Sequence, residues 1–262
     1  MSDWISHLQH GYKALAENHS TIAYTHFHAA FEENPEHPLV CFAWGQALAQ
    51  TGHTPQAVPL LEKAARAEPE LVEIACAWAK AVLDLGDFAS AARILAELEQ
   101  KHPDDTLVRM TLVELAVRRG EPATAERHLA AAGNHGADER TLRVARAQIA
   151  QVRGLLASRA GQTDEARTHF ETAIEHEPAW AGPWINLGVL AEGASDPDRA
   201  RTCYERALAL EPGHPVALYN AARLRARAGD TKAARELVSR LLEAVPEYPG
   251  GRELFDSVKK KD

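Results

Sequence analysis

Apolar positions along this chain recur every 34 residues, with a single longer step of 41 residues. Seven alanines mark the recurrence: Ala23, Ala57, Ala91, Ala125, Ala166, Ala200 and Ala234. A large apolar residue follows each alanine four positions later, in the order Phe27, Leu61, Leu95, Leu129, Phe170, Tyr204 and Val238. A fixed period of this length indicates one supersecondary unit that is copied along the chain.

Two further columns of residues run in phase with the alanines. Proline follows twelve positions later in every copy except the fourth, which has Ala137: Pro35, Pro69, Pro103, Pro178, Pro212 and Pro246. Twelve positions before each marker alanine stands a glycine or an alanine, in the order Gly11, Gly45, Ala79, Gly154, Gly188 and Ala222. The fourth copy is the exception and has Val113. Four columns aligned over seven copies exclude coincidence as an explanation.

The columns predict a pair of helices in each copy. If each copy is numbered from one, the alanine is position 20, and positions 4, 7, 8 and 11 share one face of a first helix. That face meets positions 20, 24 and 27 of a second helix, and the small residues at positions 8 and 20 predict close approach of the two backbones. Position 15 carries residues that accept a left-handed helix end: Asn18, Gly52, Gly86, Gly120, Gly161, Ser195 and Gly229.

The pattern resembles the tetratricopeptide repeat, a helix–turn–helix unit of 34 residues. The best copy, 181–214, has the family's expected residues Trp184, Leu187, Gly188, Ala200, Tyr204, Ala207 and Pro212, and departs from the family at Ala191, where tyrosine is usual. The copies are phased as 4–37, 38–71, 72–105, 106–139, 147–180, 181–214 and 215–248. The resemblance implies an all-α fold, a right-handed α-solenoid with a C-terminal capping helix.

Two irregularities interrupt the series. Seven additional residues, 140–146, separate the fourth and fifth copies. They are either a disordered loop or, as we expect from the spacing of Leu142, Ala145, Ile149, Val152 and Leu156, part of one long helix from about 139 to 160. After Pro249, a short helix from Arg252 to Lys261 is expected to cover the last apolar face. We therefore divide one continuous solenoid into 1–139, 140–248 and 249–262.

Composition limits the function classes. The 262 residues carry a net charge of −8, which argues against a general affinity for nucleic acid. No apolar run reaches the roughly 20 residues that span a bilayer, and residues 1–4 lack the basic and apolar regions of a signal peptide. Cys41, Cys76 and Cys203 are far apart and are expected to be small buried residues in a reducing compartment. We expect a cytoplasmic protein.

The sequence contains no phosphate-binding glycine loop, nucleophile elbow or zinc-protease motif, so we predict no enzyme and no cofactor. Histidines are concentrated near the start, and His7 and His10 lie three residues apart on one helical face. They suggest a metal site, a pH-sensitive segment, or simply the polar outer side of a terminal repeat. Residues 1–105 carry 6 basic and 15 acidic residues and 8 histidines. We favour the structural interpretation and predict no metal.

In the family that this sequence resembles, positions 2, 5, 9, 12 and 13 line a concave groove that receives a peptide or helix of another protein. The predicted groove residues are Leu8, Tyr12, Phe42, Gln46, Lys80, Met110, Arg118, Ile185, Asn186, Tyr219, Arg223 and Arg227. An apolar strip with spaced polar groups suits an amphipathic helix or a hydrophobic peptide. The alternative is that positions 5 and 12 pack against adjacent helices.

The family subgroup that grips a chaperone's C-terminal carboxylate is not predicted, because only Asn186 matches its clamp residues. The run Arg140, Arg143, Arg146, Arg153 and Arg159 suggests either an acidic partner or a solvated helix face.

Our main hypothesis is a scaffold or adaptor that binds another protein, with Tyr12, Phe42 and Tyr219 as anchors. Head-to-tail self-assembly of an acidic first segment with a more basic remainder is the second hypothesis, and a histidine-based metal protein or enzyme is the third.

Overall fold

The computed structural model describes residues 3–259, and over this range it is entirely helical, with fifteen α-helices and no strand. The helices are α1 (Asp3–Ala16), α2 (Ser20–Glu33), α3 (Pro38–Gln50), α4 (Thr54–Ala67), α5 (Val72–Asp84), α6 (Phe88–Lys101), α7 (Thr106–Arg119), α8 (Pro122–Asn134), α9 (Glu139–Arg159), α10 (Thr163–His176), α11 (Ala181–Gly193), α12 (Pro197–Leu210), α13 (Pro215–Arg227), α14 (Thr231–Ala244) and α15 (Gly251–Lys259). The predicted all-α fold class is therefore confirmed.

The chain divides between residues 139 and 140 into two compact units, which we call the N-terminal unit and the C-terminal unit. In the N-terminal unit, the paired helices α1 and α2, α3 and α4, and α7 and α8 pack closely, and α1, α3, α5 and α7 also contact one another in succession. In the C-terminal unit, α11 packs on α12 and α13 on α14. The predicted bounds 1–139, 140–248 and 249–262 stay a prediction, since helix packing does not by itself assign domains.

The turns inside the repeats follow the sequence prediction. Each residue at position 15 has a positive φ, including 71° at Gly120 and 84° at Gly229. Asn18 and Ser195, which replace glycine in two copies, adopt the same left-handed conformation with φ of 59° and 60°. Because glycine enters this region without a steric penalty, its choice in five copies agrees with the backbone that the turn requires.

The small residue at position 8 makes room for a ring rather than for a second backbone alone. A Cβ atom added at Gly188 would lie 2.4 Å from the ring of Tyr204, and one added at Gly11 would lie 2.4 Å from the ring of Phe27. Gly154 stands in the same relation to Phe170. These rings are buried. The predicted close approach at position 8 is therefore present, but the glycine there faces the large side chain at position 24 of the second helix.

The additional residues 140–146 are helical, and α9 runs for 21 residues from Glu139 to Arg159. Leu142, Ala145 and Ile149 are buried, as the predicted stripe requires. Leu156, which the same spacing placed on the buried face, is exposed. The buried positions at this end of the helix are Gly154 and Ala157, because Gly154 receives the ring of Phe170 from α10.

The last helix, α15, covers an apolar face of the C-terminal unit. Val258 is buried, and Leu254 and Phe255 pack around it against a cluster that includes Leu218 and Val238. α15 contacts both α14 and α13. The helix predicted for residues 252–261 is thus present over its described part, while residues 260–262 lie outside the described residues.

All three cysteines are buried and unpaired. The thiol of Cys41 donates to the carbonyl of Pro35 at 3.1 Å, and burial raises the pKa of Cys76 to about 11. They are core residues, as expected. Within residues 3–259, none of the helices has both the length and the apolar character needed to span a bilayer.

Candidate partner-binding surfaces

Three of the predicted groove residues are core residues. Leu8, Phe42 and Ile185 expose only 8%, 6% and 5% of their surface. Leu8 and Phe42 belong to an apolar cluster that extends from the first repeat into the third, and Ile185 belongs to a cluster with Ala181 and Ala217. Position 5 therefore packs between successive first helices at these three sites. This corrects the expectation that they contact a partner, and it removes Phe42 as an anchor.

The other nine predicted residues reach the surface to different degrees. Tyr12 is 42% exposed, and its ring packs edge-on against Phe27 at 5.1 Å between centroids. Arg118 and Arg227 are exposed as well. The remaining six residues are half-buried: Gln46, Lys80, Met110, Asn186, Tyr219 and Arg223. Their role as partner contacts stays a prediction.

In the N-terminal unit, Arg118 is engaged by acidic neighbours. Its Nη2 atom donates to Asp84 Oδ1 and to Glu114 Oε1, both at 2.7 Å. Its Nη1 atom donates to the carbonyl of Leu83 at 3.3 Å. Arg118 therefore links α7 to α5, and two carboxylates balance its single charge.

The C-terminal unit holds a carboxylate between two guanidinium groups. Glu192 is 11% exposed at its side chain. Its Oε1 atom accepts a hydrogen bond from Tyr204 Oη at 2.7 Å and one from Arg223 at 3.0 Å, and its Oε2 atom accepts one from Arg227 at 3.2 Å. Arg223 also lies over the ring of Tyr219, 5.9 Å from its centroid. Burial and the hydrogen bond to Glu192 raise the pKa of Tyr204.

The predicted groove residues include Arg223 and Arg227 but not Glu192, which stands at position 12 of its repeat. Its two arginines are at positions 9 and 13 of the next repeat, 31 and 35 residues later. First helices of successive repeats are neighbours, so an acidic residue facing two basic ones at this spacing was a usable signal. The pattern within a single repeat does not show this pairing, because it joins different positions of two successive repeats.

A pocket of about 380 Å³ opens beside this cluster in the C-terminal unit. Its lining residues are Glu192, Ser195, Pro197, Asp198, Arg201, Leu224, Arg225, Arg227 and Ala228. A smaller pocket of about 110 Å³ lies between the first and second repeats, and Leu15, Tyr24 and Gln50 are among its walls. The larger volume falls within the range of ligand-binding clefts, roughly 300–1,000 Å³.

Exposed apolar side chains lie on three successive first helices of the C-terminal unit. Leu155 on α9, Val189 on α11 and Val216 on α13 expose 36%, 47% and 40% of their surface. They occupy positions 9, 9 and 2 of their repeats, which are groove positions in the numbering used for the sequence. We call these three residues the aliphatic strip.

The N-terminal histidines form a small cluster between α1 and α2. His7 Nδ1 lies 3.2 Å from His26 Nδ1, and the rings of His10 and His26 stack with centroids 5.3 Å apart. Glu33 Oε1 is 3.7 Å from His7 Nε2. Desolvation and the neighbouring His10 and His7 lower the pKa of His26. Within residues 3–259, no group of three or more histidine, cysteine, aspartate or glutamate side chains is arranged to hold a metal ion.

Comparison with known sequences gives two family matches. A model described as tetratricopeptide repeat matches residues 82–149 and 189–254, which is just over half of the chain. A second model with the same description matches residues 142–172. No curated protein sequence matches this chain.

Solved structures of similar fold include a tetratricopeptide repeat protein from Parabacteroides merdae ATCC 43184. It is 14% identical to this chain over 98% of both chains, with a TM-score of 0.65. The structure of the APC/C hetero-tetramer Cut9-Hcn1 contains another similar chain, which is 16% identical with a TM-score of 0.66. That match covers 95% of this chain and 48% of the other. At these identities the similarity concerns the fold alone.

Proposed function

Because this chain belongs to the tetratricopeptide repeat family, we propose that it is an interaction scaffold whose C-terminal unit binds a peptide or an amphipathic helix of another protein. The observation that carries the proposal is the aliphatic strip, Leu155, Val189 and Val216. It presents apolar side chains to solvent on successive first helices. The proposal assigns binding, rather than catalysis, to this surface.

The surroundings of the aliphatic strip favour a partner with both apolar and polar side chains. Tyr219 and Arg223 are half-buried on α13, the helix that carries Val216. Asn186 is half-buried on α11, the helix that carries Val189. An amphipathic segment places apolar residues every three or four positions, so its apolar face contacts the strip while its flanks reach the polar groups.

Tyr12 extends the proposal to the N-terminal unit. It is exposed on α1, and Leu39 at the start of α3 is also 42% exposed. These two residues stand at positions 9 and 2 of successive repeats, as Val189 and Val216 do. We propose that they form a second, smaller contact surface, in place of the set that included Leu8 and Phe42.

The proposal is tested with two double variants of the full chain. Leu155→Glu/Val189→Glu places charges on the aliphatic strip. Leu156→Glu/Leu85→Glu places the same charges on residues of similar exposure, 41% and 47%, outside the strip. Each purified variant is used as bait in lysate of the source cells, and the captured proteins are quantified by mass spectrometry. The strip variant should lose at least one protein that the wild type and the control variant retain, while its circular dichroism stays helical. Identical capture by all three would refute the strip as the binding surface.

A second candidate function, self-assembly, is favoured by the distribution of charge. Residues 1–139 contain 10 basic and 20 acidic residues, a net charge of −10, whereas residues 140–262 contain 19 basic and 17 acidic residues, a net charge of +2. Opposite net charges on two ends of one chain favour a head-to-tail contact between copies. Light scattering between 20 and 500 mM salt, roughly 20 to 4 Å of screening length, tests it. A monomer at the lowest salt rules this function out.

A further inference from the structure

We infer that the pocket between the sixth and seventh repeats binds an acidic side chain of the partner protein. The inference rests on the proposed function, since it specifies the chemistry of the segment that the C-terminal unit accepts. The pocket has a volume of about 380 Å³, and its wall residue Glu192 lies on α11 about one turn after Val189 of the aliphatic strip. A segment bound on the strip therefore has a cleft beside it into which one side chain can enter.

The pocket is an enlarged form of a cleft that the N-terminal unit contains in smaller size. Its walls Glu192, Arg201 and Arg227 stand at repeat positions 12, 21 and 13. The same positions in the first two repeats hold the following lining residues of the 110 Å³ pocket: Leu15, Tyr24 and Gln50. The ring of Tyr24 packs against Trp44 at 4.7 Å between centroids and fills part of that cleft. The N-terminal cleft is thus lined by uncharged residues and partly filled, whereas the C-terminal cleft is lined by charged residues and is open.

Three of the five charged residues that line the pocket are arginines. Arg201 contacts Asp198 at 2.9 Å, and Arg227 contacts Glu192 at 3.2 Å, in each case through one terminal nitrogen. Each guanidinium carries five N–H donors, so these contacts leave both side chains with donors for a ligand. Their side chains are 46% and 65% exposed, which keeps those donors within reach of a bound segment. The third arginine, Arg225, is held by Glu205 at 2.7 Å and Asp230 at 3.3 Å.

The two carboxylates of the pocket do not cancel its preference for an anion. Glu192 accepts hydrogen bonds from Tyr204, Arg223 and Arg227, so two positive charges stand against its one. Asp198 pairs with Arg201, and its side chain is 81% exposed to solvent, which weakens its repulsion of a ligand. A carboxylate that enters between Arg201 and Arg227 gains charge-assisted hydrogen bonds, which are stronger than neutral ones.

The apolar part of the lining specifies the rest of the ligand. Pro197, Leu224 and Ala228 offer hydrocarbon surface beside the arginines. The methylene groups of a glutamate, or an aliphatic residue next to the acidic one, would contact these walls. The preferred ligand is therefore an acidic residue adjacent to aliphatic residues in an extended or helical segment.

The probe for this inference is a displayed library of random dodecapeptides, selected in parallel on immobilised full-length wild type and on the variant Arg201→Glu/Arg227→Glu. The matched control is Arg167→Glu/Arg252→Glu. Arg167 pairs with Asp164 three residues earlier, just as Arg201 pairs with Asp198, and Arg252 is 69% exposed and paired with Glu247. Both variants change the net charge by the same amount.

Wild type and control should enrich peptides with Asp or Glu beside an aliphatic residue, and the pocket variant should instead enrich Lys or Arg there. In fluorescence anisotropy, replacing the acidic residue of a selected peptide by Gln should weaken binding to wild type at least about tenfold, equivalent to about 1.4 kcal/mol.

Enriched peptides without an acidic preference, or the same peptides on wild type and pocket variant, would overturn the pocket inference and leave the scaffold proposal standing. An absence of any enriched peptide would overturn the scaffold proposal. If sedimentation at low salt shows oligomers that only the pocket variant loses, the occupant is a second copy and the inference of a separate partner is wrong.

Discussion

The N-terminal and C-terminal units are built from the same helical hairpin and differ mainly in what they present at a few repeat positions. Both place a ring against a glycine, Phe27 on Gly11 in one and Tyr204 on Gly188 in the other. At position 12, by contrast, the first repeat has Leu15 and the sixth has Glu192. The contact of a ring with a glycine is thus common to both units, whereas the residue at position 12, in the cleft between repeats, differs between them.

The charge of the two units differs in the same way. Residues 1–139 have a net charge of −10 and residues 140–262 have a net charge of +2. In the N-terminal unit the groove arginine, Arg118, is matched by two acidic residues. In the C-terminal unit the ratio of arginines to carboxylates is reversed, because Arg223 and Arg227 share the single carboxylate of Glu192. The two units therefore differ in the balance of charge around their groove arginines.

The largest effect is expected from removing the ring at position 24. Phe170→Ala and Phe27→Ala should each lower the free energy of unfolding by about 3–5 kcal/mol, because both rings are buried and their removal leaves a cavity. Urea unfolding followed by circular dichroism measures both losses. Similar losses would show that the two units share one core design. A loss below about 1 kcal/mol in either variant, the size of an average point mutation, would contradict it.

The next largest effect concerns the glycine that faces this ring. Gly188→Ala should cost about 1–3 kcal/mol, because the new Cβ would lie 2.4 Å from Tyr204 and force the ring to move. Gly193→Ala on the same helix is the control, since its Cβ would meet no atom within 4 Å. The two variants differ only in position. Equal thermal stability of the two would show that the close approach is not required.

A smaller effect is expected at the cluster that distinguishes the C-terminal unit. Tyr204→Phe keeps the ring but removes the hydrogen bond to Glu192, which should cost about 1.5 kcal/mol, the lower end for a hydrogen bond to a charged group. Val238→Ala, at the same repeat position, is a useful comparison because it alters packing alone. The change is measured by urea unfolding. An unchanged free energy of unfolding for Tyr204→Phe would show that the two arginines alone satisfy Glu192.

The smallest effect is a pH dependence that arises from His26 in the N-terminal unit. His26 has a lowered pKa in the folded state, so the folded protein binds fewer protons there than the unfolded chain does. Its contribution to stability is complete above the usual histidine pKa of about 6.5 and is lost as pH falls from there through the lower folded value. Melting temperatures at pH 7.5 and pH 5.5, roughly one unit either side of that value, should differ less for His26→Gln than for wild type. An equal difference in melting temperature for His26→Gln and wild type would contradict the prediction.

The sequence predicted the framework of both units because that framework is periodic. The left-handed residue at position 15 recurs from Asn18 to Gly229, always at the end of a first helix. The small residue at position 8, such as Gly188 facing Tyr204, recurs at the contact between the two helices of a repeat. Phe42 and Ile185 were assigned to the groove but are buried, because their exposure depends on how closely the next first helix stacks. The 34-residue period of the sequence does not predict the distance between successive first helices. Leu156 was assigned to the wrong face of α9 for the related reason that α10 packs on Gly154.

The candidate site was less predictable, since its central residue is defined by contacts between repeats. Glu192 is unremarkable within its own repeat, and only its relation to Arg223 and Arg227 of the next repeat reveals a cluster. The aliphatic strip was visible in part, because Leu155 and Val189 are apolar at position 9, where Lys80 and Glu114 stand in the N-terminal unit. Their exposure required the structure.

The burial of Cys41, Cys76 and Cys203 has a practical consequence for studying this molecule. Each of the three residues is at most 4% exposed, so the folded chain should be nearly inert toward maleimide and spin-label reagents. A single cysteine introduced at Ser195, on the rim of the larger pocket, would then be the one readily labelled group. A fluorophore attached there would report directly when a ligand enters or leaves, without removal of any natural thiol.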